Sequence, residues 1–224
     1  MGVVSNYNNL YWYSEHKTTP LKGGIVLLPG RHNFGYNLLR SYSRNLNCSE
    51  IGLFSITPPL SQGWYPPPNG PNDQVQAVMG LDRSAKLIEK IIQTIQEQHS
   101  LPREKIVVAG FSMGAVAGVH WAIHTNDPVA ALVCHSGAIL EPWKVPQARH
   151  SMPIILNHGQ DDYCFEWEER YLPMKRALSK KGYDLWLVER PEGNHTILNS
   201  DVACLQEFLE EKFKMSLAWS AWEN

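Results

Sequence analysis

The chain has 224 residues, with 20 Lys and Arg against 22 Asp and Glu, a net charge of −2 and 43% hydrophobic residues. That length suits one α/β domain with a sizeable core. The near-neutral balance, without a basic run, argues against a nucleic-acid surface or an electrostatic membrane anchor, and no apolar stretch approaches a membrane span.

Residues 1–20 read as an N-terminal edge segment, with Leu10-Tyr11-Trp12-Tyr13 as an edge strand or hairpin between Asn6 and His16. No apolar h-region follows Met1, and Asn6 stands where a myristoylation pattern needs Ser or Thr. Gly24 to Leu28 is a buried strand closed by Pro29-Gly30, and Tyr36 to Leu46 reads as a helix. Ile51 to Ile56 is the next strand. A loop rich in turn formers follows from Pro58 to Asp73, with Trp64 and Tyr65 at its centre. Ile88, Ile91, Ile92 and Ile95 recur at the spacing of one buried helical face.

Lys105 to Ala109 is another buried run, handing over to a helical stretch. Strands are expected at Val129 to Cys134, Pro153 to Leu156 and Tyr183 to Val188, and helices at Glu168 to Lys180 and Val202 to Phe213. Alternating strands and helices with buried runs predict an α/β fold, a mostly parallel sheet with helices on both faces. Functional loops then leave the carboxyl ends of the strands. The segments Pro58 to Asp73 and Ala138 to Ser151 are short, so no large lid domain is expected. Residues 214–224 read as a C-terminal tail of a single domain spanning 1–224. Trp219 and Trp222 in it leave two occupants open, the domain itself or a second copy in a homodimer. Cys48, Cys134, Cys164 and Cys204 are scattered without a C-x-x-C pair, which reads as reduced thiols in a cytoplasmic protein.

The chemistry centres on Gly110-Phe111-Ser112-Met113-Gly114, between the Lys105 to Ala109 strand and a helix. A tight strand-to-helix turn lifts a serine hydroxyl above the sheet edge, and the helix N-terminus offers N–H groups to a developing negative charge. A serine hydroxyl needs a base, and the base needs an acid to fix its tautomer. Asn157-His158-Gly159-Gln160-Asp161-Asp162 follows one strand and Gly193-Asn194-His195 follows the last. His195 is the candidate base. Local pattern alone leaves Asp161 and Asp162 equal as the acid. His120 and His124 are four apart on a helix without an H-E-x-x-H motif, so no metal and no cofactor is expected.

On these motifs, with Leu28-Pro29-Gly30-Arg31, Gly63-Trp64-Tyr65-Pro66 and Ser136-Gly137, the chain resembles the phospholipase/carboxylesterase group of α/β-hydrolases, the branch that includes acyl-protein thioesterases. The likeness runs from about Gly23 to Phe213. It implies the α/β-hydrolase fold and a Ser112, Asp162, His195 triad, since the family's acid lies four residues after the His of its His-Gly pair. It also implies an oxyanion hole from the backbone N–H groups of Arg31 and Met113. The family commonly has His-Gly where this chain has Pro29-Gly30, and a polar residue where Met113 stands; backbone donors survive both changes. The expected activity is hydrolysis of small-molecule carboxylic esters or thioesters of short to medium acyl chains, with Trp64 and Tyr65 lining the substrate mouth. Two rivals remain at this level: a noncatalytic small-ligand-binding protein on the same fold, and an amidase or peptidase using the same triad.

Overall fold

The computed structural model describes residues 3–7, 10–15, 20–32, 35–46, 50–58, 63–68 and 73–213. In chain order the strands are β1 (Val3–Tyr7), β2 (Leu10–Glu15), β3 (Gly23–Leu28), β4 (Ile51–Ile56), β5 (Ile106–Phe111), β6 (Ala131–His135), β7 (Ile154–Gly159) and β8 (Leu185–Arg190). The helices are α1 (Gly35–Asn45), α2 (Asp73–His99), α3 (Met113–His124), α4 (Leu172–Lys181) and α5 (Asn199–Phe213). Among the described residues these strands form one sheet in the order β1-β2-β4-β3-β5-β6-β7-β8. From β4 to β8 every pairing is parallel; β1 and β2 add an antiparallel hairpin at the β4 edge.

β3 to β7 are β-branched, apolar runs because both sheet faces are covered. One face packs on α2, α3 and α4 through residues such as Ile88, Ile92, Val119 and Met174. The other packs on α1 and α5 through Leu38, Tyr42, Leu205 and Phe208. This is the mostly parallel, two-faced α/β-hydrolase arrangement, and among the described residues no large lid covers the carboxyl ends of the strands.

Several boundaries depart from the sequence expectations: β6 and β8 each begin two residues later than expected and α5 three residues earlier, and three further differences bear on the site. α2 reaches back to Asp73, well before the Ile88 to Ile95 face, because its first half buries only small or spaced residues, Ala77, Gly80, Leu81 and Ser84. A π-type turn over Trp167–Tyr171 precedes α4, within the stretch expected to be plain helix. β7 continues past Leu156 through Asn157-His158-Gly159, since pairing with β8 extends to Gly159↔Arg190. The tail with Trp219 and Trp222 lies outside the described residues, as does Cys48.

Candidate active site

β5 lies between β3 and β6, and its register carries Phe111 level with His135 of β6. The chain then reverses into α3 at Ser112, whose φ of 55° is one that residues with a side chain seldom adopt. Such a conformation costs ~1–3 kcal/mol and persists only where the surroundings hold it. They do so here: Ser112 N–H donates to His135 O at 3.0 Å, and Val116 N–H to Ser112 O at 3.0 Å. α3 is pressed against the end of β3, where a Cβ on Gly114 would sit 2.0 Å from Leu28 O. Only glycine lets the helix approach this closely.

The loops after β7 and β8 bring the other two groups to the serine. His195 Nε2 is 2.9 Å from Ser112 Oγ, and His195 Nδ1 is 2.9 Å from Asp162 Oδ2. Asp162 is buried, while Asp161 is exposed and gives only its backbone N–H to Gly193 O. Asp162 Oδ1 also accepts from the N–H groups of Cys164 and Phe165, each at 2.9 Å. Burial by itself would raise the Asp162 carboxyl. The His195 bond and the two backbone donors outweigh it and hold the group below the usual carboxylate value of 3.8.

Both loops are anchored from below. A Cβ on Gly159 would fall 2.0 Å from Gly193 O, so the two loops touch backbone to backbone. Gln160 N–H donates to Arg190 O, which extends the ladder of β7 and β8 by one bond. Arg190 Nη1 pairs with the buried Asp201 at 3.0 Å, Arg190 Nη2 donates to Thr196 O, and Leu198 N–H donates to Asp201 Oδ2. The histidine loop is thus tied at both ends. Burial pushes the Asp201 carboxyl up, with the Leu198 N–H and Arg190 opposing.

Two other histidines lie nearby, each held by its own protein partners. His135 is buried between Tyr42 and Asn157, and burial drives its imidazole down to about 3. His158 Nε2 donates to Phe165 O at 2.8 Å and its ring stacks on Tyr171, which fixes the acid loop; burial lowers its pKa as well.

Two chain segments meet beside Ser112, where the family resemblance expects the oxyanion donors. Met113 begins α3, where the first N–H groups have no intrahelical acceptor. The Pro29-Gly30-Arg31 loop abuts the serine, since a Cβ on Gly30 would lie 3.2 Å from Ser112 Cβ. Among the described residues neither the Arg31 nor the Met113 N–H has a backbone acceptor. Trp64 and Tyr65, expected at the substrate mouth, part company. Trp64 is buried at 1% exposure and does not line the cavity; its indole Nε1–H donates to Pro29 O at 2.7 Å, which holds the Arg31 loop from behind. The indole needs a buried acceptor for its N–H and finds it in that loop. Ser84 of α2 in turn donates to Trp64 O. Tyr65 does line the cavity, its phenol pushed up by burial with the Arg170 charge pulling the other way.

That cavity has a volume of about 500 Å³ and opens directly on Ser112 and His195. Phe111, Met113, Leu140 and Phe165 supply apolar wall, and Arg31 and Arg170 the charge. Leu140 and Arg170 were not singled out in the sequence, because nothing in a short loop or a helical stretch marks a residue as facing a distant serine. Of the aromatics after the strands, Phe165 is at the wall, whereas Trp143 is 58% exposed and away from it.

Two groups of metal-ligating side chains occur among the described residues, each within 4.8 Å. One is Asp162, Cys164 and His195; the other is His120 and His124 on α3 with Glu141. In the second group every side chain already has a protein partner: His120 with Asp82, His124 with a helix carbonyl, Glu141 with Lys144. Among the described residues no helix is long and apolar enough to cross a membrane.

Comparison with known proteins fits this arrangement. The sequence model of the phospholipase/carboxylesterase family matches residues 61–213, more than half of the chain. Acyl-protein thioesterase 1 homolog 2 of Dictyostelium discoideum is 30% identical over 88 residues, 38% of this chain and 39% of that protein. Acyl-protein thioesterase 1 of Debaryomyces hansenii is 24% identical over 218 residues, 87% of this chain and 93% of that protein. Among solved structures, esterase PE8 superposes with a TM-score of 0.75 at 21% identity, covering 88% of this chain and 95% of its own, a likeness of fold. The chain is an esterase-like hydrolase that belongs to the phospholipase/carboxylesterase family.

Proposed function

We propose that this protein hydrolyses carboxylic esters or thioesters of short to medium acyl chains through a Ser112-His195-Asp162 relay and an acyl-enzyme. The observation that carries the reading is the unbroken chain of contacts from Ser112 Oγ to His195 Nε2 at 2.9 Å and from His195 Nδ1 to Asp162 at 2.9 Å. His195 takes the serine proton as Oγ attacks the carbonyl carbon. The tetrahedral oxyanion forms within reach of the Arg31 and Met113 N–H groups, fixed dipoles that need no reorganisation. His195, as imidazolium steadied by Asp162, then protonates the leaving alcohol or thiol. Water attacks the acyl-serine with His195 again as base, and Ser112 is restored.

A cavity of about 500 Å³ with apolar walls suits an acyl chain of modest length. The whole chain is read as one hydrolase domain, since helices from α1 to α5 all pack on the same sheet. Cys134, Cys164 and Cys204 are free thiols, which supports a cytoplasmic location.

The test is direct. A p-nitrophenyl ester panel of graded acyl length should be turned over by the wild type, and Ser112→Ala should lower kcat by on the order of 10⁴-fold or more. A fluorophosphonate should add one adduct by intact mass, absent in Ser112→Ala. Equal rates for the two proteins, or no adduct on folded wild type, would overturn the reading.

A further inference from the structure

Resting on the proposed nucleophile Ser112, we infer that its cavity selects substrates bearing a second, anionic group, a carboxylate or phosphate, held by Arg170 and Arg31. Four observations converge. Arg31 and Arg170 both line the cavity that opens on Ser112 and His195, and no Asp or Glu does. Neither guanidinium has an ion-pair or hydrogen-bond partner among the described residues, whereas Arg103 and Arg190 are bound to Glu89 and Asp201. The rest of the wall is largely apolar, from Tyr65, Phe111, Met113, Leu140 and Phe165. The chain neighbours of Arg31 and Pro68 that lie outside the described residues, 33–34 and 69–72, carry no acidic side chain in the sequence.

Both arginines are exposed, so each keeps its hydration and remains available to an incoming ligand. The attraction of either to an anion at the cavity mouth is a solvent-screened one, of the order of a single exposed charge-assisted contact and sensitive to salt. Arginine presents a planar fork that meets a carboxylate or phosphate with two parallel hydrogen bonds. Arg170 is placed by the π-type turn over Trp167–Tyr171, an irregular backbone that costs helical regularity and aims residues off the α-helical track. Arg31 sits beside the oxyanion position by virtue of its own backbone. The pair therefore brackets the cavity from the loop after β3 and from the turn before α4. An acyl chain or leaving group lying in the trough reaches a charge at either side.

Two pairs of substrates with matched reacting centres test this and separate the sources of the anion. Mono-p-nitrophenyl adipate against p-nitrophenyl hexanoate reads a carboxylate on the acyl side. Butyryl-coenzyme A against S-butyryl-N-acetylcysteamine reads phosphate on the leaving group. The wild type is expected to favour the charged member of at least one pair by about tenfold in kcat/KM, the value of one charge-assisted contact. Arg170→Gln and Arg31→Gln should each cut that ratio severalfold, Arg170→Lys should keep part of it, and rising salt should erode it. Arginines that serve only the developing oxyanion would lower both members of a pair equally and leave the ratio unchanged, which overturns the inference. So would a wild type that turns over the neutral esters with no preference in either pair. Failure of the neutral esters themselves, with Ser112 unlabelled by fluorophosphonate, removes the nucleophile and this inference with it.

Discussion

A single indole N–H links α2 to the Pro29-Gly30-Arg31 loop, which carries one of the proposed oxyanion donors. Trp64 receives Ser84 on its carbonyl and passes a hydrogen bond to Pro29 O, one residue before Gly30 and two before the Arg31 N–H. Trp64→Phe keeps the aromatic volume and removes the donor, leaving Pro29 O buried and unpaired. We expect a loss of ~1–3 kcal/mol in stability. Because the Arg31 loop loses its brace, kcat should fall on the order of tenfold with KM changed far less. Steady-state kinetics beside urea melts check both, and an unchanged kcat in a destabilised protein would make the bond merely structural. At this scale the sequence was legible where chemistry narrows the choice. Ser112 and His195 stood out because a glycine-flanked turn and a loop after the last strand leave few alternatives. Asp161 and Asp162 did not separate by local pattern, since a loop has no period to tell which neighbour points inward; only the family spacing chose Asp162. Trp64 illustrates the limit. An aromatic in a proline-rich loop reads the same whether it faces a substrate or the back of a neighbouring turn.

Elements are held to one another by partly buried polar clamps as well as by apolar faces. Glu89 of α2 accepts both terminal nitrogens of Arg103, each at 2.7 Å, and the indole N–H of Trp121 in α3 at 3.1 Å. Burial would raise this carboxyl, but the Arg103 and Trp121 bonds prevail and hold it below its ordinary 4.5. A carboxyl lowered by folding contributes stability that is full above its unfolded value and fades as pH falls through the folded one. Glu89→Gln should therefore cost ~1–3 kcal/mol near neutral pH. The gap to wild type should close as pH drops below about 4.5 in urea melts. A gap constant with pH would show that packing, not charge, sets the cost. The elements themselves were largely readable, because buried parallel strands are apolar runs and α2 carries an Ile stripe every third or fourth residue. The first half of α2 and the π-type turn were not. Small buried residues such as Ala77 and Gly80 leave no hydrophobic period, and an extra residue per turn over Trp167–Tyr171 follows from packing that no local propensity encodes.

On the scale of the whole molecule, the hairpin of β1 and β2 closes an edge that would otherwise be apolar. β4 is buried along its length and pairs with β2 on its outer side. Removing residues 1–15 should leave that edge open, lowering Tm and producing concentration-dependent association in gel filtration. A truncated chain that stays monomeric with an unchanged Tm would show that β4 needs no cover. The sheet order also divides the three groups of the candidate site between two attachments. Asp162 and His195 come from the loops of adjacent strands β7 and β8, stitched by Gln160 N–H to Arg190 O and Asp161 N–H to Gly193 O. Ser112 rides on β5, with β6 in between. Carboxylate and imidazole are thus attached to one stitched pair of strands, while the alcohol belongs to another part of the frame. Any flexing of the frame would therefore fall first on one gap, the one a proton would cross to leave the serine in the proposed relay.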